Sequence, residues 1–176
     1  DRDNALVLGT GSLGLLTVPV LTDRFDDVYC LGRRDRDDPA VELAIEGGAT
    51  YVDSRETAVD EIPEVHAPMD LVYEATGYPL HAVESVSALA PNGVAALLGV
   101  PEDHTTEVDL GRLHRELVLG NRAVVGSVNA GYRHFEEAVE WLDAMPESVR
   151  SAFTEHVYPI AEFEAALDSD VIKTAV

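Results

Sequence analysis

Short apolar runs recur along this chain, with longer amphipathic stretches between them. Residues 5–8, 28–31, 50–52, 71–74, 94–98 and 123–125 are rich in valine, leucine and alanine with little polar alternation, the pattern of strands buried on both faces. Residues 13–25, 39–46, 80–89 and 110–119 instead carry apolar side chains at helical spacing. Gly47-Gly48 and Pro91-Asn92-Gly93 supply stops before the strands that follow. This alternation predicts an α/β fold: a doubly wound parallel sheet of about six strands with helices on both faces.

Past the sixth run, residues 134–145 read as one more amphipathic helix, and residues 153–176 hold apolar side chains without a second complete domain. The expected organisation is a nucleotide-binding domain over residues 1–130. A C-terminal helix and tail over 131–176 then pack against it, or against a part of the protein outside this chain. Pro19 falls past the first turn of the first predicted helix, where it removes a backbone hydrogen bond and is expected to kink the axis.

The first strand runs directly into Gly9-Thr10-Gly11-Ser12-Leu13-Gly14, which opens the first helix. Between a strand and a helix this spelling carries chemistry. Gly9 permits the tight turn, Gly11 lets the backbone approach a pyrophosphate, and Gly14 lets the helix lie close to the strand. The amides and positive dipole end of the helix then attract the anion without a dedicated lysine. Gly9, Thr10, Gly11, Ser12, Leu13 and Gly14 are therefore candidate cofactor contacts on a Rossmann-type fold.

The end of the second strand decides which dinucleotide. Chains that bind NAD place an acidic residue there for the ribose hydroxyls, whereas this chain has Gly32, Arg33 and Arg34. Glycine leaves room for a 2′-phosphate and guanidinium groups bond its oxygens in pairs, while a carboxylate would repel it. NADP is the expected cofactor, with NAD binding more weakly. The alternative is a solvated arginine pair balancing Asp35, Asp37 and Asp38. A methyltransferase using S-adenosylmethionine is disfavoured by the same loop, for want of an acid.

Charge narrows the partners further. The 176 residues include 33 acidic and 12 basic ones, a net charge of −21, which disfavours nucleic acid and anionic membrane surfaces as partners. Lys173 is the sole lysine, so no P-loop can be written, and no tyrosine precedes a lysine at the spacing of short-chain dehydrogenases. An acidic surface this poor in lysine points to adaptation to high salt, where screening shortens to about 3 Å at 1 M. No apolar run approaches the roughly 20 residues of a membrane helix, and the first residues lack a secretory pattern. A cytoplasmic location is expected, and because the first strand starts so near Asp1, so is a preceding segment.

Cys30, the lone cysteine, lies inside an apolar run and reads as packing. His66, His81, His104, His114, His134 and His156 fall singly, without metal spacing.

The glycine motif, the run Asp70-Leu71-Val72-Tyr73-Glu74-Ala75-Thr76-Gly77, the stretch from Pro91-Asn92-Gly93 to Gly99-Val100-Pro101, and Gly126-Ser127-Val128-Asn129 occur in one order. In that order they resemble the zinc-dependent medium-chain dehydrogenases. The loop Leu31-Gly32-Arg33-Arg34-Asp35-Arg36 and the acidic surface narrow the resemblance to the haloarchaeal glucose dehydrogenases, over essentially the whole chain.

The resemblance implies oxidation of a sugar at its C1 hydroxyl to a lactone, with hydride transfer to NADP. It implies that Ala75, Thr76, Gly77, Leu98, Gly99 and Val100 edge the nicotinamide side of the cleft, with Val128 and Asn129 near the nicotinamide and the sugar. Asn129 would bond a substrate hydroxyl, or else serve only as a turn residue. In the family zinc is held by a separate catalytic domain preceding the glycine motif, so no metal ligand is assigned here, and the chain alone is expected to bind NADP but oxidise nothing. A homodimer or homotetramer is expected, with strand 123–125 as the pairing edge. The alternative function is a non-catalytic NADP-sensing module that regulates a partner.

Overall fold

The computed structural model describes residues 3–154, 156–169 and 171–176. It divides into two compact units, Asp1–Asn129 and Ala130–Val176. The first is built on six strands: β1 (Asn4–Leu8), β2 (Asp27–Gly32), β3 (Thr50–Asp53), β4 (Met69–Glu74), β5 (Leu89–Leu97) and β6 (Ala123–Gly126). They lie in the order β3-β2-β1-β4-β5-β6, and each neighbouring pair is parallel. The strand order therefore reverses between β1 and β4, the switch point at which open parallel sheets bind ligands.

The helices of this unit are α1 (Ser12–Thr22), α2 (Pro39–Glu46), α3 (Ile62–Val65), α4 (His81–Ala88) and α5 (Leu110–Gly120). Alternation along β1 assigns them to faces. Val7 lies under α1, where a Cβ on Gly14 would stand 3.3 Å from it. Leu6 and Leu8 point the other way, into a buried cluster with Val59, Ile62, Ala88 and Leu89. From β1 to β4 the sheet is covered on both sides, as the uninterrupted apolar runs required. The run at 123–125 predicted the same for β6, but all four of its residues are exposed, because it is an edge strand.

Several boundaries differ from the sequence reading, each for a local reason. α1 ends at Thr22 rather than at 25, because Asp23 takes the C-cap and Arg24 and Phe25 already turn back toward Leu21. The helix runs through Pro19, which is buried. β5 begins at Leu89, so the Pro91-Asn92-Gly93 turn lies inside the strand instead of before it. Met69 pairs with Leu89 and Leu71 with Val94, so Asp70 alone faces four residues of β5, with Asn92 at a φ of 66°. The 3₁₀ turn Val59–Glu61 and α3 were not anticipated; Val59 and Ile62 anchor them in the core.

Cys30 is fully buried, and burial pushes its thiol up to about 12. Its Sγ lies 3.9 Å from the Gly9 carbonyl, behind the glycine turn, and the packing role read from the sequence holds.

The second unit contains α6 (Tyr132–Ala144), α7 (Glu147–Thr154) and α8 (Phe163–Leu167), so the tail is more helical than its sequence suggested. Met145, Val149 and Ala166 are buried, and a parallel bridge joins Val157 to Ala175. Among the described residues, no helix is long and apolar enough to cross a membrane.

Candidate functional site

A cleft of about 1020 Å³ opens at the carboxyl ends of β1, β2 and β4. Gly9, Thr10, Gly11, Gly32, Arg33, Arg34, Thr76, Gly77 and Val100 line it, so the glycine turn and the arginine loop meet in space as their sequence positions implied. Gly9 has a φ of 113°, and a Cβ there would stand 3.0 Å from Thr76. Gly11 has nothing within 4 Å of where its Cβ would be, which leaves the backbone before α1 open to a ligand. Ser12 and Leu13 begin the helix behind it, and Gly14 is buried against the turn.

Gly32 closes β2 between two side chains. A Cβ there would lie 2.8 Å from Thr10 and 3.4 Å from Tyr51, so the position is restricted to glycine by crowding as well as by any ligand. Beyond it Arg33 is exposed and, among the described residues, makes no ion pair. Arg34 instead pairs with Asp38 at 2.9 Å. Asp38 is doubly used, since its other oxygen caps α2 by accepting from the Ala40 N–H at 2.8 Å. Charge balancing by neighbouring acids thus holds for Arg34 and not for Arg33.

A second arginine cluster lies beside this loop. The Arg55 guanidinium donates to both oxygens of Asp53, at 2.6–3.0 Å, and to Asp35 at 2.8 Å. That guanidinium holds the Asp53 carboxyl at about 2, well below the usual carboxylate range. Nothing in the sequence pattern marked Arg55, because one of its partners, Asp35, lies in the loop after β2, far from it along the chain.

The floor of the cleft is organised by Glu74, only 3% exposed. Its Oε1 accepts from the Thr76 N–H (2.7 Å), the Thr76 hydroxyl (2.5 Å) and the Gly77 N–H (2.9 Å). Its backbone carbonyl accepts from Leu98 and Gly99, so a single residue ties the ends of β4 and β5 together. Ala75 is held by the Leu8 carbonyl. Gly99 lies against the Gly77 backbone.

The Thr76 hydroxyl spends its one hydrogen on Glu74. It therefore accepts from His81 Nδ1, 2.9 Å away, which assigns that hydrogen to Nδ1. Burial pushes His81 below its usual pKa; Glu74 opposes this and Arg33 adds to it. Tyr78 packs its ring edge-on to His81, with centroids 5.0 Å apart.

Ser54, Tyr78, His81, Glu84 and His104 also line the cleft and were not nominated from sequence. Each is an isolated polar or aromatic residue in a turn or at a helix start. Ala75, Leu98, Gly99, Val128 and Asn129 do not line the cleft; Val128 and Asn129 follow β6, exposed, with Asn129 at a φ of 67°.

This geometry can be set beside known proteins. Residues 1–176 match the family described as Glucose dehydrogenase C-terminus. The chain belongs to that family. It is 53% identical to glucose 1-dehydrogenase of Haloferax mediterranei over 181 residues, covering all of this chain and 51% of that protein. It is 54% identical to glucose 1-dehydrogenase 1 of Haloterrigena turkmenica, covering 99% of this chain and 51% of that one. Among solved structures, Haloferax mediterranei glucose dehydrogenase in complex with NADP, Zn and gluconolactone superimposes with a TM-score of 0.92 at 52% identity. That match covers 99% of this chain and 50% of the other. As a member of the glucose dehydrogenase C-terminal family, the chain spans about half the length of the curated relatives it matches.

Proposed function

We propose that this chain is the NADP-binding part of a zinc-dependent glucose 1-dehydrogenase that oxidises the sugar to its lactone. The observation that carries the reading is the convergence, in one cleft, of the open glycine turn at the start of α1 with Arg33, which makes no ion pair among the described residues. The cleft residues fit the cofactor. Gly9, Thr10, Gly11 and the start of α1 at Ser12 and Leu13 hold the pyrophosphate, and Gly14 lets the helix lie close enough to present its first turn. Gly32, Arg33 and Arg34 hold the 2′-phosphate, where the lack of an acid removes the usual discrimination in favour of NAD.

When bound, NADP supplies the hydride acceptor and zinc a Lewis acid. Ala75, Thr76, Gly77, Leu98, Gly99 and Val100 shape the wall beside the nicotinamide, kept in place by Glu74. Val128 and Asn129 extend toward the nicotinamide and sugar. Zinc does not fit this chain's own residues: among those described, no three His, Cys, Asp or Glu side chains converge. Its ligands would belong to the other half of the protein. The reading keeps the protein in the cytoplasm, without nucleic acid or membrane partners, and assigns residues 131–176 to packing against the remainder.

Strand β6 lies at the sheet edge, with all four residues exposed. An unpaired edge is a template for a second strand, and it supports assembly into a homodimer, or a homotetramer built from such dimers.

Steady-state kinetics of the intact protein in molar KCl test the reading. Glucose is expected to be oxidised with NADP preferred over NAD, and Arg33→Ala is expected to raise KM for NADP at least tenfold, the scale of one lost charge-assisted bond of about 1.5–3 kcal/mol. Equal use of both dinucleotides, unaltered by the substitution, would refute it.

A further inference from the structure

The arginine loop after β2 is held from outside itself. Tyr51, in β3 and only 5% exposed, donates its hydroxyl to the Arg34 carbonyl at 2.7 Å. Arg55, in the turn after β3, donates through Nη2 to the same carbonyl at 3.4 Å and through Nη1 to Asp35 at 2.8 Å. Arg55 is itself fixed by the Asp53 carboxylate, and the Ser54 N–H donates to the Gly32 carbonyl at 2.8 Å. Residues 33–36 belong to no helix or strand. The orientation of the Arg34–Asp35 peptide is therefore set by β3 and its turn.

We propose that Tyr51 and Arg55 are positioning residues for cofactor discrimination: by gripping the Arg34 carbonyl and Asp35, they fix the direction in which Arg33 and Arg34 present their guanidinium groups to the 2′-phosphate. The inference rests on the NADP reading above and extends it to two residues outside the phosphate contact. Bidentate recognition depends on the fork being delivered at a set angle, so freezing the backbone beforehand removes an ordering cost that would otherwise weaken binding. Tyr51 suits this task. Its ring packs beside the Gly32 position and its hydroxyl bonds the loop, so a phenylalanine would keep the packing and lose the grip.

The test compares wild type, Tyr51→Phe and Arg55→Gln in the intact protein at one fixed KCl concentration. The probes are 2′,5′-ADP, which carries the 2′-phosphate, and 5′-AMP, which does not. Wild type is expected to bind 2′,5′-ADP the more tightly. Tyr51→Phe is expected to weaken 2′,5′-ADP about tenfold, the scale of one lost positioning bond, and to leave 5′-AMP within twofold. Arg55→Gln should move selectivity in the same direction.

Parallel weakening of both probes would mean a general structural role and overturn the proposal, as would unchanged selectivity in both variants. If wild type itself did not prefer 2′,5′-ADP, the NADP reading would fall and this inference with it. Wild-type preference retained by both variants would sink the inference alone.

Discussion

Gly14 lies so close to the glycine turn that a Cβ added to it would stand 2.0 Å from the Gly9 carbonyl oxygen. No side chain fits at that distance, and the obstacle is backbone with little room to yield. Gly14→Ala must push α1 off β1 and disturb the turn that faces the cleft. Overpacking of this kind costs about 1–3 kcal/mol. Denaturant titration in molar KCl should show that loss, together with weaker NADP binding; an unchanged midpoint would contradict the packing role.

Glu74 leads to a second expectation. Its carboxylate accepts three hydrogen bonds through a single oxygen while 3% exposed. Glu74→Gln keeps the shape and one neutral acceptor, and should cost about 1.5–3 kcal/mol, in the range for hydrogen bonds to a charged group. Amide hydrogen exchange is the sharper readout, since the Thr76 and Gly77 N–H groups should lose protection before the rest of the sheet. Equal protection in both proteins would rule out this holding role.

Acid sensitivity follows from Asp53. Its folded pKa of about 2 lies below the roughly 3.9 of an unfolded aspartate. The folded state is therefore favoured by the ionised group above pH 4, and that contribution disappears as the pH falls from about 4 to 2. Wild type should melt above Asp53→Asn at pH 6, with the gap closing by pH 2. A gap of constant width across this range would show that the Asp53–Arg55 pair adds nothing to stability.

The surplus of acids, 33 against 12 basic residues, makes stability depend on salt. Repulsion among carboxylates reaches about 8 Å at 0.15 M salt and about 3 Å at 1 M. Melting temperature should climb steeply from dilute buffer into molar KCl; a flat profile would remove the idea of salt adaptation.

The sheet was legible in the sequence because strands buried on both faces leave unbroken apolar runs, as at Ala5 to Leu8 and Val28 to Leu31. The glycine turn was legible because its requirements are local, and so was the arginine loop one helix and one strand further along the chain. What was not legible depends on contacts between distant turns. Arg55 and Tyr51 sit in unremarkable sequence, and only the parallel register of β3 beside β2, which sets Tyr51 opposite Cys30 and Asp53 opposite Gly32, brings them under the loop. The 3₁₀ turn and α3 escaped notice because so few residues, interrupted by Pro63, show no helical period.

The irregular start of β5 has a consequence for how such chains change over time. Ala90 to Gly93 bulge opposite Asp70 alone, yet Leu71 to Glu74 resume regular pairing with Val94 to Leu97. A bulge confines added length to the place where it occurs. Residues gained or lost at this amino-terminal end of the sheet are absorbed there, and the opposite end, where the cleft opens, keeps its alignment. Relatives can therefore drift in length along one rim of the sheet while the other stays in register.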